Sequence, residues 1–375
     1  MEIRVFQRSC TGKGGRLNYE KRRTALLTDL KADAFLIFNL EGSDSVSMFY
    51  LTGFTGEGAL LLSAKEASLM TDSRYTEQAS REVPGLPVEE IKGDYLKEVT
   101  TMLKARKLKR VAVSSKRMTY YVVEKLRELF GGEIIAFEDP VMALRRLKDP
   151  EEIARIREAT RLTEASLISL LGEIKIGISE RELALRLEVI MRKNGAEKVA
   201  FDLIVAAGEN SALPHYRPGT RRIKKGDLLL FDIGAQLDGY CSDMTRVFAV
   251  KEVLPQAREI YELVLRANQA GIKAIRAGAS GVAVDTIARD VIAQAGHKEH
   301  FGHGLGHGVG LEVHEGPRLS PLSKDTLQPG MTVTVEPGVY LPGFGGVRIE
   351  DLLVVTKNGS EVLTSLPKNR LIEVG

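Results

Sequence analysis

The sequence predicts an α+β protein of two domains, on three observations. Over residues 34–137, short apolar runs of strand length alternate with helical stretches. Beyond residue 150, a unit of two helices followed by a strand occurs twice, at an offset of 101 to 104 residues. The chain of 375 residues exceeds one ordinary domain, and it has no run of 18 apolar residues that would cross a membrane.

Composition narrows the function classes. With 27% charged and 43% hydrophobic residues, the chain has the make-up of a soluble globular protein. A net charge of +3 is close to balance, and the basic clusters Lys21-Arg22-Arg23 and Arg221-Arg222-Ile223-Lys224-Lys225 lack interleaved aromatics. Nucleic acid is therefore not expected as a partner, nor is a membrane. Two cysteines, Cys10 and Cys241, argue against a disulfide framework and for a reducing compartment. The opening Met1-Glu2-Ile3-Arg4 leads into no apolar signal region, so a cytoplasmic location is expected.

Residues 1–17 have little periodicity and read as a loose extension. A helix from Tyr19 leads into the apolar run Ala34-Phe35-Leu36-Ile37-Phe38, which reads as a buried strand. Further strands are expected at 59–62, 68–71, 111–113 and 133–137, making residues 18–145 a smaller α/β domain. Asp149 as N-cap and Pro150 as first helical residue then open a long helix, and the second domain, 150–375. Within it Gly177-Ile178-Ser179 matches Gly278-Ala279-Ser280, and Gly195 matches Gly296. Ser179 and Glu182 form a capping-box pattern. Lys225-Gly226 through Asp232-Ile233-Gly234 aligns with Pro329-Gly330 through Glu336-Pro337-Gly338, so each repeat ends in a strand that carries an acid.

Two such repeats facing each other would bring Asp232 and Glu336 to one central site. Asp238-Gly239 is a hairpin-turn signal that pairs Leu237 with Tyr240 and Gly234 with Asp243. Asp243 is then the diagonal neighbour of Asp232, and Gly234 is expected to leave space for a metal. The second repeat returns through a Pro- and Gly-rich bend to Arg348 and Glu350. Four carboxylates in a dry pocket would repel by several kcal/mol unless cations neutralised them, and two divalent ions match their charge. His303, His307 and His314 fall within a Gly-rich stretch whose glycines suit close approach of the backbone to metal or substrate. Asp232, Asp243, His307, Glu336 and Glu350 together point to a two-metal hydrolase. Cys241, by alternation, shares the face of Asp243 and is expected as a wall residue that could sensitise the site to oxidation. His297 and His300 receive no role.

The segments Phe231-Asp232-Ile233-Gly234, Ser242-Asp243-Met244-Thr245-Arg246, Gly306-His307-Gly308-Val309-Gly310-Leu311, Val335-Glu336-Pro337-Gly338 and Arg348-Ile349-Glu350-Asp351 resemble the methionine aminopeptidase/prolidase metallopeptidases, family M24. They are most similar to its Xaa-Pro dipeptidase (prolidase) and Xaa-Pro aminopeptidase branch. Tyr50-Leu51-Thr52-Gly53-Phe54 and Thr71-Asp72-Ser73-Arg74-Tyr75 resemble the amino-terminal domain of the same branch.

The resemblance implies a pita-bread catalytic domain after a creatinase/prolidase-type domain, a homodimer, and small peptide substrates with proline second. It implies Asp232 as ligand of one metal, Asp243 and Glu350 as bridging ligands, and His307 and Glu336 at the other metal. A hydroxide between the metals would attack the peptide carbonyl. Glu336 would shuttle the proton to the leaving nitrogen, and His314 would hydrogen-bond the oxyanion or the scissile amide. His215, His303, Tyr340 and Arg348 match substrate-binding or orienting positions. Oxygen-rich ligation suits Mn²⁺, Co²⁺, Fe²⁺ or Zn²⁺, with the family putting manganese first. Dipeptidase and aminopeptidase specificities both stay open, as do a metal-free scaffold and a creatinase-like or lyase activity on the same fold.

Overall fold

The computed structural model describes residues 17–28 and 30–375. The extension expected at residues 1–17 falls, but for Leu17, outside the described residues, as does Cys10. The chain divides into two compact units, Leu17–Arg145 and one containing Arg146–Gly375.

The first unit is built on a six-stranded sheet. Its strands are β1 (Ala34–Asn39), β2 (Gly58–Ser63), β3 (Ala67–Asp72), β4 (Val88–Ile91), β5 (Arg110–Ser114) and β6 (Glu133–Phe137), in the order β4-β3-β2-β1-β5-β6. β2 runs antiparallel to both β1 and β3, and the other pairings are parallel. β1 is fully buried along its length, as expected of an unbroken apolar run in a mostly covered sheet. Six helices accompany these strands: α1 (Tyr19–Thr28), α2 (Ser45–Thr52), α3 (Thr76–Glu82), α4 (Tyr95–Ala105), α5 (Tyr120–Phe130) and α6 (Pro140–Arg145). Asp94 and Thr119 cap α4 and α5 by accepting from Lys97 N and Val122 N. β4, with the sequence Val-Glu-Glu-Ile, is too short and too polar to be read as a strand in advance.

The second unit contains the repeat. α7 (Pro150–Leu171) opens on a full capping box, Asp149 with Glu152, behind Pro150. α8 (Glu180–Lys193) follows, then β7 (Lys198–Val199), β8 (Ile204–Ala207), β9 (Leu228–Ile233), β10 (Ala235–Leu237), β11 (Tyr240–Cys241) and β12 (Met244–Val250). The second copy has α9 (Pro255–Ala274), α10 (Gly281–Gln294), β13 (Gly306–Gly308), β14 (Glu315–Leu319), β15 (Thr332–Val335), β16 (Gly338–Leu341), β17 (Gly345–Arg348) and β18 (Asp351–Val355). β19 (Ser360–Val362) pairs with β18, and β20 (Ile372–Val374) returns to lie parallel to β12.

The repeat is conformational as well as textual. Gly177 and Gly278, Gly195 and Gly296, and Gly226 and Gly330 all have φ between 82° and 103°. For the first two pairs an added Cβ would meet nothing within 4 Å, so the left-handed backbone, not lack of space, explains the glycine. Ser179 and Ser280 cap α8 and α10 alike and form matching bridges to Arg222 and Thr326. The Ser179 box is only half formed: Ser179 accepts from Glu182 N, while the Glu182 carboxylate turns to Arg186. One apolar cluster joins α7 and α8 to β9 and β12, and another joins α9 and α10 to β15 and β18.

Candidate metal centre

The Asp238-Gly239 turn has positive φ at both residues and sets Leu237 opposite Tyr240, as the sequence predicts. The register continues into β9 and β12, where Asp232 faces Thr245 and Ile233 faces Met244. Asp243 therefore follows as the diagonal neighbour of Asp232. In the second hairpin, Val335 faces Asp351 and Gly338 faces Arg348, which sets Glu336 opposite Glu350.

Laying one ladder on the other makes Asp232 equivalent to Glu336. Asp243 then corresponds to Arg348, and Thr245 to Glu350. Each returning strand thus carries one acid, but two residues apart, and the non-acidic counterparts serve the opposite hairpin. Arg348 Nη2 donates to Asp232 Oδ2 at 2.6 Å, and Thr245 Oγ1 donates to Glu350 Oε2 at 2.7 Å. Arg348 Nε also donates to Thr245 Oγ1 at 3.1 Å.

His307 lies in β13, with its backbone N–H on Thr334 Oγ1. Its Nδ1 is 3.0 Å from Gly308 O, which turns Nε2 toward Glu336 Oε1 at 3.2 Å and Asp243 Oδ2 at 3.6 Å. The flanking glycines have a different purpose from the one expected. A Cβ at Gly306 would sit 2.1 Å from Thr334 O, and one at Gly308 2.2 Å from Gly316 O. A Cβ at Gly234 would likewise sit 2.1 Å from Ser242 O. These glycines admit neighbouring backbone; Gly234 does not leave room for a metal.

All five proposed ligands line one cavity of about 530 Å³, together with His215, His303, His314 and Arg348. Tyr340 lines a smaller adjoining cavity with His215 and His303. Its hydroxyl is 2.9 Å from His303 Nε2 and accepts from Arg348 Nη1 at 2.8 Å. His314 is exposed, with its ring 4.4 Å from that of His307. Cys241 departs from expectation. It is buried, does not line either cavity, and burial pushes its thiol up to about 12, so it is neither a wall residue nor a reactive one.

The donor set fits divalent cations. Asp243, His307 and Glu350 offer ligand atoms within 4.8 Å of one another. Asp232 Oδ1 and Glu350 Oε1 are buried without a hydrogen-bond partner among the described residues, although the other oxygen of each carboxylate is engaged. Burial, and then repulsion from neighbouring acids, raises Asp243 and Glu350 well above the usual carboxylate range. Asp232 is raised chiefly by burial, against the pull of Arg348. At Glu336 burial is the largest influence and upward, but the His307 hydrogen bond and charge outweigh it and hold the group at about 2. His307 is raised in turn, because Glu336 overcomes the effect of burial.

Sequence reasoning missed several residues of the site. Thr245, buried behind the cavity and bonded to Glu350 and Arg348, shares the face of Asp243 by strand alternation, so the pattern contained it. Arg217 and Arg318 line the cavity, and neither side chain makes a hydrogen bond among the described residues. No motif marks them.

Comparison with known proteins agrees with this architecture. Residues 154–357 match the model of metallopeptidase family M24, and residues 21–147 that of the creatinase/prolidase N-terminal domain. A Xaa-Pro dipeptidase of Pyrococcus furiosus is 38% identical over 329 residues, 87% of this chain and 93% of that protein. The crystal structure of an X-Pro aminopeptidase from Thermotoga maritima is similar with a TM-score of 0.89 at 39% identity, covering 94% of this chain and all of that one. A Xaa-Pro dipeptidase from Bacillus anthracis gives a TM-score of 0.90 at 40% identity, over 95% of this chain and all of that one. With the catalytic match spanning more than half its length, the chain belongs to metallopeptidase family M24 and is a hydrolase.

Proposed function

We propose that this protein is an exopeptidase that hydrolyses the bond between an N-terminal residue and proline, with two divalent cations held by Asp232, Asp243, His307, Glu336 and Glu350. The observation that carries the reading is the convergence of these five groups from two related hairpins and β13 on one cavity, two of them with an orphaned buried oxygen. The relatives named above, a Xaa-Pro dipeptidase and an X-Pro aminopeptidase, support the choice of bond. When bound, the cations supply Lewis acidity and make water nucleophilic near neutral pH. Carboxylate oxygens with one imidazole suit Mn²⁺, Co²⁺, Fe²⁺ or Zn²⁺, and manganese is proposed first.

The chain's own groups do the rest. Asp232, Asp243, His307, Glu336 and Glu350 would hold the cations. Arg348 fixes Asp232 by holding one oxygen and leaving the second for a cation. Glu336 would take a proton from the attacking water and deliver it to the proline nitrogen, which leaves as a secondary amine. His314 stands beside His307 to donate a hydrogen bond to the carbonyl oxygen as charge develops there. His215 and His303 flank the bound proline, with His303 oriented by Tyr340.

Arg318 and Arg217 favour the dipeptidase form, since guanidinium groups beside the site with no side-chain partner among the described residues would pair with the free carboxylate of Xaa-Pro. A homodimer and a cytoplasmic setting complete the proposal and rest on the family and on the scarcity of cysteine. The test compares Xaa-Pro, Xaa-Pro-Yaa and Xaa-Ala peptides on manganese-loaded protein. Preferred cleavage of Xaa-Pro, weakened in Arg318→Ala, supports the reading. Absence of Xaa-Pro hydrolysis with every one of the four cations rejects it.

A further inference from the structure

His215 makes no side-chain hydrogen bond among the described residues, so its position in the cavity depends on the backbone that carries it. That backbone is the segment between β8 and β9, and a single carboxylate gathers it. Glu180, the first residue of α8, is completely buried. Its Oε1 accepts from Ala207 N at 2.8 Å and Asn210 Nδ2 at 3.0 Å. Its Oε2 accepts from the Tyr216 hydroxyl at 2.7 Å and from Gly219 N at 3.4 Å. The Arg221 guanidinium is held by both oxygens of Asp227. Four donors and the N-terminus of α8 thus stabilise this anion, and they come from both sides of His215.

The second repeat has the same device on its equivalent helix. Asp285 of α10 is completely buried, accepts from Leu305 N at 3.0 Å and forms a two-pronged pair with Arg289. Arg289 in turn donates to Phe301 O at 2.8 Å and His303 O at 2.7 Å. In each repeat, a buried acid on the second helix fixes the loop that bears a cavity histidine outside the proposed ligand set. Glu180 corresponds to Gly281 and Asp285 to Ala184 in the repeat alignment, so the two acids lie at different points on their helices.

We infer that Glu180, acting through Tyr216 and the 207–219 backbone, is a positioning residue that sets His215 for substrate, and that Asp285 with Arg289 does the same for His303. The inference rests on the proposed contact between His215 and substrate. Neither acid lines the cavity, so each would influence catalysis only through the cavity residues its loop carries, the histidine first among them.

The test is a double-mutant cycle on the manganese-loaded protein, with kcat and KM measured on a Xaa-Pro dipeptide. Tyr216→Phe deletes one bond to Glu180 and keeps the fold if Glu180→Gln does not. Either variant is expected to lower kcat/KM about tenfold in the wild-type background and less than about twofold in His215→Ala, with unchanged metal content. A purely structural effect would lower the melting temperature but leave the two factors equal. Equal factors in both backgrounds overturn the inference. No loss in His215→Ala alone overturns the reading of His215 on which it stands.

Discussion

Replacing Asp243 by Asn is expected to stabilise the chelated protein and to destabilise the cation-loaded one. Asp243 and Glu350 offer oxygens within 4.8 Å of one another, with Asp232 and Glu336 close enough to raise Asp243 further. Two like unit charges at that distance, in an effective dielectric of 20, cost about 3.5 kcal/mol. The sign follows from the pKa. A carboxyl group whose folded value lies above its unfolded one binds a proton more tightly in the fold, so its contribution to stability falls as pH rises from about 4. At pH 7.5 the folded chelated protein bears the repulsion or the work of protonation, and Asn removes both. Protonation caps the cost and Asn loses an attraction to His307, so a net gain of about 1–3 kcal/mol is expected. For a unit the size of Arg146–Gly375 this raises the melting temperature by roughly 3–10 °C. Differential scanning calorimetry in chelator, then in excess Mn²⁺, measures it. In Mn²⁺ the order is expected to reverse, because the variant lacks one of the proposed ligands. An Asn variant that melts below wild type in chelator would refute the electrostatic argument.

Three further outcomes follow from the same geometry. Glu336→Gln, and equally Asp232→Asn, should reduce turnover of a Xaa-Pro peptide by about three orders of magnitude, and wild-type rates with metal present would reject the assignment. Because Asp243 and Glu350 are raised well above their usual range, cations compete with protons for them. Mn²⁺ affinity, read by calorimetric titration, should fall steadily as pH is lowered from 7.5 to 5.5, and a flat profile would contradict this. Gly234→Ala drives a Cβ to 2.1 Å from Ser242 O and should cost roughly 3 kcal/mol in a thermal melt, whereas an unchanged melt would show that the strands part without strain.

The convergence of these side chains on one cavity is legible in the sequence because its signals are local or repeated. The Asp238-Gly239 turn fixed a register that carried Asp243 to the diagonal of Asp232, and strand alternation did the remainder. The matched glycines were visible because left-handed backbone admits few other residues. Reading went astray where a glycine's neighbour is distant in sequence. Gly306 is small because Thr334 O approaches it, which no pattern around residue 306 reveals. The same holds for β20, which joins β12 from more than a hundred residues away, and for Glu180, whose burial against the 207–219 segment looks in sequence like an ordinary first-turn acid. Cys241 was misplaced because alternation gives a face but not whether that face opens on a cavity at that depth.

The most direct test is anomalous diffraction at the manganese edge from crystals of the Mn²⁺-loaded protein. Two peaks are predicted, both within reach of Asp243 and Glu350, with Asp232 beside one and His307 and Glu336 beside the other. A single peak, or cations bound away from these five side chains, would contradict the account.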